Sequence, residues 1–212
     1  MNKSVPFVPN TSDGMHYVPA VFKMIYKYYF NENLTWKEID KMSKTVPRKG
    51  TWTFLPITAL AKKGLKITHI EPLDYKKLHK HGVHYLRAVF GKKTADYYIN
   101  RSNIGSVLQD IPEFINTVKQ INRKATINDI LKYLKEGVVI SVEINSSILN
   151  KKPGFNLHYI LVYDYDGQNI VFHDPGLPPI EGRKVTIKEF DKCFNYPGGN
   201  STITVFKKLS KF

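Results

Sequence analysis

The residues best able to do chemistry together lie near the C-terminal end, in Asn156-Leu-His-Tyr-Ile-Leu-Val-Tyr-Asp-Tyr-Asp-Gly-Gln-Asn-Ile-Val-Phe-His-Asp-Pro-Gly176. Tyr159 to Tyr163 and Asn169 to Phe172 are rich in β-branched and aromatic residues, and Asp166-Gly167 between them is a hairpin turn signal. A three-residue loop centred on Asp166 makes His158 and Asp174 direct cross-strand neighbours, with Cβ atoms about 4.5–5.5 Å apart. At that separation a carboxylate can hold an imidazole in one tautomer and stabilise its cation, as in a general base with its orienting acid. A strict two-residue turn would send the two side chains to opposite faces, so the pairing requires a three-residue loop or a bulge. Taken alone, the same two residues also read as a strand histidine and a turn carboxylate ahead of Pro175-Gly176.

Other reactive residues are sparse. Cys193 is the single cysteine, which excludes an intramolecular disulfide and a cysteine-rich zinc site and suits a reducing compartment. It falls on an expected helix with Phe190 and Phe194 and reads as a packing residue. His79-Lys-His-Gly-Val-His84 invites a metal reading. On a helix, however, 79 and 81 point apart, Gly82 interrupts, and no carboxylate or cysteine completes the set, so the stretch reads as a solvated face. No metal and no cofactor is expected.

The elements that must position His158 and Asp174 follow from periodicity. Val5-Pro-Phe-Val-Pro9 is extended, and Asn-Thr-Ser-Asp-Gly14 is a turn. Val18, Val21, Phe22, Ile25, Tyr26 and Tyr29 form one apolar stripe, with Pro19 suited to the first helical position. The amino end of this helix, at His16-Tyr17, would stabilise a thiolate, carboxylate or oxyanion. Thr35-Trp-Lys-Glu38 is a capping box for a second helix ending near Lys44, and a third runs from about Phe54 to Lys63, followed by a strand from Leu65 to Ile70. Leu73 to Lys124 reads as a polar helical layer inserted into one domain that spans 1–212, the insertion covering about 73–125. Thr126 caps a helix through Glu136, and Val138 to Ile144 is an apolar strand of the kind buried on both faces, expected at the centre of the sheet. Asn145 to Asn150 reads as loop. A short strand ends at the capping box Thr186-Ile-Lys-Glu189, and Ser201 to Lys207 alternates as a last strand. Helices first and strands later make the fold class α+β.

The chain has 212 residues and a formal charge of +14, from 32 Lys and Arg against 18 Asp and Glu. That favours an acidic partner. The lysines come in dispersed pairs such as Lys62-Lys63 and Lys92-Lys93, which argues against a nucleic-acid groove. The N-terminus has no apolar signal region, and no stretch approaches the roughly 18 apolar residues of a membrane span. A cytoplasmic protein is expected, in which Asn33-Leu-Thr35 and Asn200-Ser-Thr202 carry no meaning as glycosylation sites.

Three segments together resemble the C39-like group of papain-type cysteine peptidases, a resemblance running from Val5 almost to the C-terminus. They are Val5-Pro-Phe-Val-Pro-Asn-Thr-Ser-Asp-Gly-Met-His-Tyr-Val-Pro-Ala-Val-Phe-Lys-Met24, Gly50-Thr-Trp-Thr53, and Asn145 through the hairpin to His-Asp-Pro-Gly-Leu-Pro-Pro179. The resemblance implies a papain-like fold, with an N-terminal central helix and a helical layer packed on a C-terminal antiparallel sheet. It also implies that His158 is the general base, Asp174 its orienting carboxylate, and Asn10 the oxyanion-hole position. The nucleophile position then falls on Tyr17. A phenol with a pKa near 10 is bulkier and a weaker acyl acceptor than a thiol near 8.5, so Tyr17 is expected to plug the cleft.

The leading expectation is a pseudo-peptidase that binds a peptide, protein tail or acyl-like ligand in the remnant cleft without cutting it. The alternatives are an active hydrolase, peptidase or acyltransferase that uses His158 and Asp174 with a non-standard nucleophile, and a basic protein that binds nucleic acid or another polyanion.

Overall fold

The computed structural model describes residues 4–208. Its first helix, α1 (Tyr17–Phe30), is buried on every side: Val18 through Tyr26 are all removed from solvent, Lys23 included. Lys23 keeps its ammonium 4.9 Å from the centre of the Trp36 ring, a cation–π contact that offsets part of its desolvation. The helix begins two residues before Pro19, so that proline stands third and not first. Its missing N–H is still one of the first-turn donors that have no partner within a helix. The stop is Asn31, in the left-handed region at φ 58°.

Helix α2 (Trp36–Ser43) opens on the expected capping box, with Thr35 and Glu38 satisfying each other's backbone N–H. Helix α3 (Phe54–Lys62) follows and leads into strand β1 (Leu65–Ile70). The polar middle of the chain folds as α4 (Tyr75–His81), α5 (Val83–Phe90), α6 (Lys92–Arg101), α7 (Ile104–Val107) and α8 (Ile111–Thr117). His79 and His81 end α4 while His84 begins α5, separated by Gly82 at φ 56°. The middle segment is not wholly helical. Strand β2 (Lys119–Ile121) pairs with β1 in parallel, so the sheet is mixed and not purely antiparallel.

Helix α9 (Ile127–Lys135) precedes β3 (Val139–Asn145), and the segment read as loop contains a single-turn helix, α10 (Ser146–Leu149), started by Asn145. Strands β4 (Leu157–Tyr165), β5 (Asn169–Asp174) and β6 (Ile180–Thr186), helix α11 (Ile187–Phe194) and strand β7 (Ile203–Lys208) complete the chain. The strand order is β2-β1-β7-β3-β4-β5-β6, which places β3 at the centre as its apolar run requires.

Side-chain alternation along the strands divides the interior in two. Val139, Tyr159, Leu161 and Phe206 join the core formed with α1 and the helices up to α8. Ile140, Ile160, Phe172 and Val205 join a second core with Ile130 of α9 and Phe190, Cys193 and Phe194 of α11. Helices therefore cover both faces of the sheet, where the sequence led us to expect one helical layer. Each fully buried aliphatic or aromatic side chain contributes about 1.5–3 kcal/mol of transfer free energy, which explains why the sheet commits both faces to apolar residues.

Candidate functional site

The hairpin of β4 and β5 turns at Gly167-Gln168, with Tyr165 facing Ile170 and the Asp166 N–H donating to Asn169 O at 3.1 Å. In that register His158 and Asp174 would point to opposite faces. A bulge corrects it. Val162 faces Phe172 and Asp164 faces Val171, so Tyr163 is an extra residue on β4, and beyond it Leu161 faces His173. Asp174 is thus a diagonal neighbour of His158, not the directly opposed one expected from a three-residue loop. Their side chains still meet: His158 Nε2 and Asp174 Oδ1 are 2.7 Å apart, and both residues are buried.

Asp174 is supported from three directions. Besides the imidazole, it accepts from the Gly176 N–H at 2.9 Å and from Arg183 Nη1 at 2.9 Å. Arg183, on β6, also donates through Nη2 to Leu149 O at 3.2 Å. Burial pushes the Asp174 carboxyl up, but the His158 hydrogen bond and charge, the Gly176 N–H and Arg183 outweigh it and hold the group below the usual carboxylate value. Gly176 has no room for a side chain: a Cβ there would lie 2.9 Å from Asp174 Oδ1 and 3.3 Å from His158 Nε2. His173 binds elsewhere. Its Nδ1 accepts from Gly182 N, which leaves Nε2 to donate to Val5 O at 3.0 Å and staples the N-terminal segment to the sheet.

Tyr17, the first residue of α1, brings its ring 5.2 Å from the His158 ring, centre to centre. Burial, and secondarily the charge of Glu143, push its phenol up to about 12. Tyr17 also lines a cavity of about 480 Å³, together with Gly50, Trp52, Asn156 and Leu157; His158 and Asp174 are not among the lining residues. The Gly50 segment is fixed opposite Tyr17 by backbone bonds from Gly50 N to Arg101 O at 2.7 Å and from Asn103 N to Gly50 O at 3.0 Å. Trp52 is held by Asn103 Oδ1 and Ser102 Oγ, each at 2.8 Å. The three segments singled out in the sequence therefore converge on one place.

Asn10 stands apart from the cavity and lines a separate shallow groove with Phe7, Lys23 and Trp36. Its Oδ1 accepts the His16 N–H at 2.8 Å and the Thr11 N–H at 2.9 Å, which commits the oxygen and leaves the NH2 group to donate. Its own backbone N–H donates to Pro175 O at 3.0 Å, tying the start of α1 to the turn after Asp174. Cys193 lies near enough to Asp174 and Arg183 to feel their charges, but it does not line the cavity. It is fully buried in the second core, donates to Phe190 O, and has its thiol pushed up to about 12 by burial.

Arg183 was not singled out in the sequence, nor was the acidic side of the cavity. Glu71 and Glu143 both line it. Among the described residues no group of three or more His, Cys, Asp or Glu stands close enough to hold a metal ion, and no helix is long and apolar enough to cross a membrane.

No family model matches the chain, and no curated protein does. Solved structures do. The peptidase domain of Streptococcus ComA, a bi-functional ABC transporter involved in a quorum-sensing pathway, aligns with a TM-score of 0.55 at 14% identity, covering 97% of this chain and 100% of that one. A double glycine motif protease from an AMS/PCAT transporter, solved in complex with the leader peptide, aligns with a TM-score of 0.50 at 13% identity, covering 97% of this chain and 93% of that one. At these identities the likeness is one of fold: the chain has the α+β fold of C39 peptidase domains.

Proposed function

We propose that this chain is a pseudo-peptidase, which holds a peptide segment in the cavity beside Tyr17 and does not cleave it. The observation that carries the reading is the place of Tyr17. Its ring touches His158 and also lines the cavity, whereas His158 and Asp174 do not line it. A ligand in the cavity therefore meets a phenol pushed up to about 12 and not a nucleophile paired with a base. Cys193, the one thiol, is buried in the core on the other side of the sheet. The PCAT-type protease solved with a leader peptide supports the peptide as ligand class. In this reading Tyr17 stands at the nucleophile position, Asn10 holds the entry to α1, and the His158–Asp174 pair is kept as part of the wall.

The test is amide and thioester hydrolysis by the purified chain, beside Tyr17→Cys and Tyr17→Cys/His158→Ala. The expected result is a silent wild type and a Tyr17→Cys variant that gains activity lost on thiol alkylation and on removal of His158. Turnover by wild type that disappears in His158→Ala would overturn the reading in favour of an enzyme with an unconventional nucleophile.

A further inference from the structure

Glu143 lies on β3, directly opposite Tyr159 of β4, and faces the cavity beside α1. Among the described residues its side chain has one hydrogen bond, from the Tyr196 hydroxyl to Oε1 at 3.3 Å. No Lys, Arg or His among them forms an ion pair with it, in contrast to Asp174. Glu71, which lines the same cavity, accepts from His69 and from the Tyr75 hydroxyl through Oε2, each at 2.9 Å, and has no described partner at Oε1. A buried carboxylate without a cation nearby is costly to ionise. Burial first, and the charge of Glu71 second, push the Glu143 carboxyl up to about 8, with the Tyr196 hydrogen bond acting the other way.

The rest of the wall suits a cation. Rings of Tyr17, Trp52, Tyr75, Phe90, Tyr98 and Tyr159 line the space. Aromatic faces attract an ammonium group, most strongly where water is excluded. Arg48 and Arg101 also line the cavity, and both are exposed residues. The solvent end is therefore positive and the end at Glu143 and Glu71 negative. The cavity thus has a polarity opposite, at its inner end, to the +14 charge of the chain as a whole.

We propose that the peptide bound beside Tyr17 carries a primary ammonium group into the cavity, where Glu143 is its counter-ion and Glu71 lies beside it, with acidic neighbours of that group meeting Arg48 and Arg101. The ammonium is supplied by a lysine side chain or by a peptide N-terminus, which share the chemistry. The inference rests on the cleft reading above and adds the ligand's charge to it.

The experiment is titration calorimetry of the intact chain with a glutamate-flanked pentapeptide bearing a central lysine. The peptide is used with its N-terminus free or acetylated and with the lysine free or acetylated, against wild type and Glu143→Gln. We expect the doubly acetylated peptide to bind wild type about tenfold or more weaker, as does any peptide to Glu143→Gln, as expected for loss of a charge-assisted pair. Whichever single acetylation reproduces the loss identifies the amine. Equal binding of the doubly acetylated and unmodified peptides, or no effect of Glu143→Gln, overturns the cationic assignment and leaves the cleft reading standing. If no peptide binds, both fall. Glu143→Gln is isosteric and close to the neutral, protonated form of the side chain, so a preserved thermal midpoint separates lost binding from lost folding.

Discussion

The Tyr17 ring touches His158 on one side and lines the cavity that holds Glu143 on the other, and the two carboxyl clusters are provided for in opposite ways. The cluster around Asp174 is closed: imidazole, guanidinium and backbone N–H all converge on one carboxylate, and Gly176 leaves no space for anything more. The cluster around Glu143 is open: one tyrosine hydroxyl on one oxygen, a second carboxylate nearby, and a cavity in front. Both are carboxyl groups withdrawn from water, but only the first is matched by cationic and N–H partners within the chain. A network complete in itself rigidifies a fold, whereas an incomplete one is where a ligand has free energy to gain.

The largest effect expected from breaking that contrast is on the closed side. Asp174→Ala leaves Arg183 and His158 without their partner in a buried site, and should lower stability by about 3–5 kcal/mol in urea unfolding. An unchanged midpoint would mean that the cluster can relax into solvent.

The open side should show itself through pH. Because the folded carboxyl of Glu143 is raised to about 8, above its unfolded value near 4.3, the folded state binds the extra proton between those limits. Its contribution is complete below about pH 4.3 and is lost as pH rises through about 8, a fall on the order of 2–4 kcal/mol, discounted because the cavity admits water. Tyr196 and the tyrosines 17, 75, 98 and 159 are all pushed up by burial and stay protonated over that window. Unfolding measured from pH 5 to 9 should show the slope in wild type and lose it in Glu143→Gln; the same slope in both would assign it elsewhere. His173, lowered by burial, acts on the acid side, where stability falls as pH drops below about 6.5.

A smaller effect sharpens the claim that the Asp174 site is full. Gly176→Ala places a methyl against Asp174 Oδ1 and His158 Nε2, and should cost about 1–2 kcal/mol while shifting the His158 imidazole resonances in NMR spectra. A spectrum unchanged at His158 would show that the turn yields instead.

Local chemistry was legible in the sequence, and long-range register was not. The capping boxes at Thr35 and Thr186 formed as read, because both halves lie within four residues. So did the central place of β3, since only a strand covered on both faces can afford such an apolar run. The meeting of His158 with Asp174 was also legible, but not its geometry, because the bulge at Tyr163 leaves no mark in composition. Strand β2 is three residues long and gains its partner from β1 far upstream, so nothing local announces it. Arg183 was one of many basic residues until the pairing of β5 with β6 set it opposite Phe172, two residues from Asp174 on the same face. Glu143 was hidden inside a run that reads as apolar, and its meaning depends on Glu71, which approaches from a different strand end of the chain.

The extra residue in β4 works as a phase shift. Tyr163 also rests its ring 4.6 Å from that of His173, so the residue that resets the count is itself anchored to the strand across the hairpin. Deleting that single residue would join Val162 directly to Asp164 and keep the pairing on either side, with Val162 facing Phe172 and Asp164 facing Val171. His158 and Asp174 would still share a face; it is drawing Tyr163 into the ladder opposite Phe172, in place of Val162, that would turn them to opposite sides of the sheet.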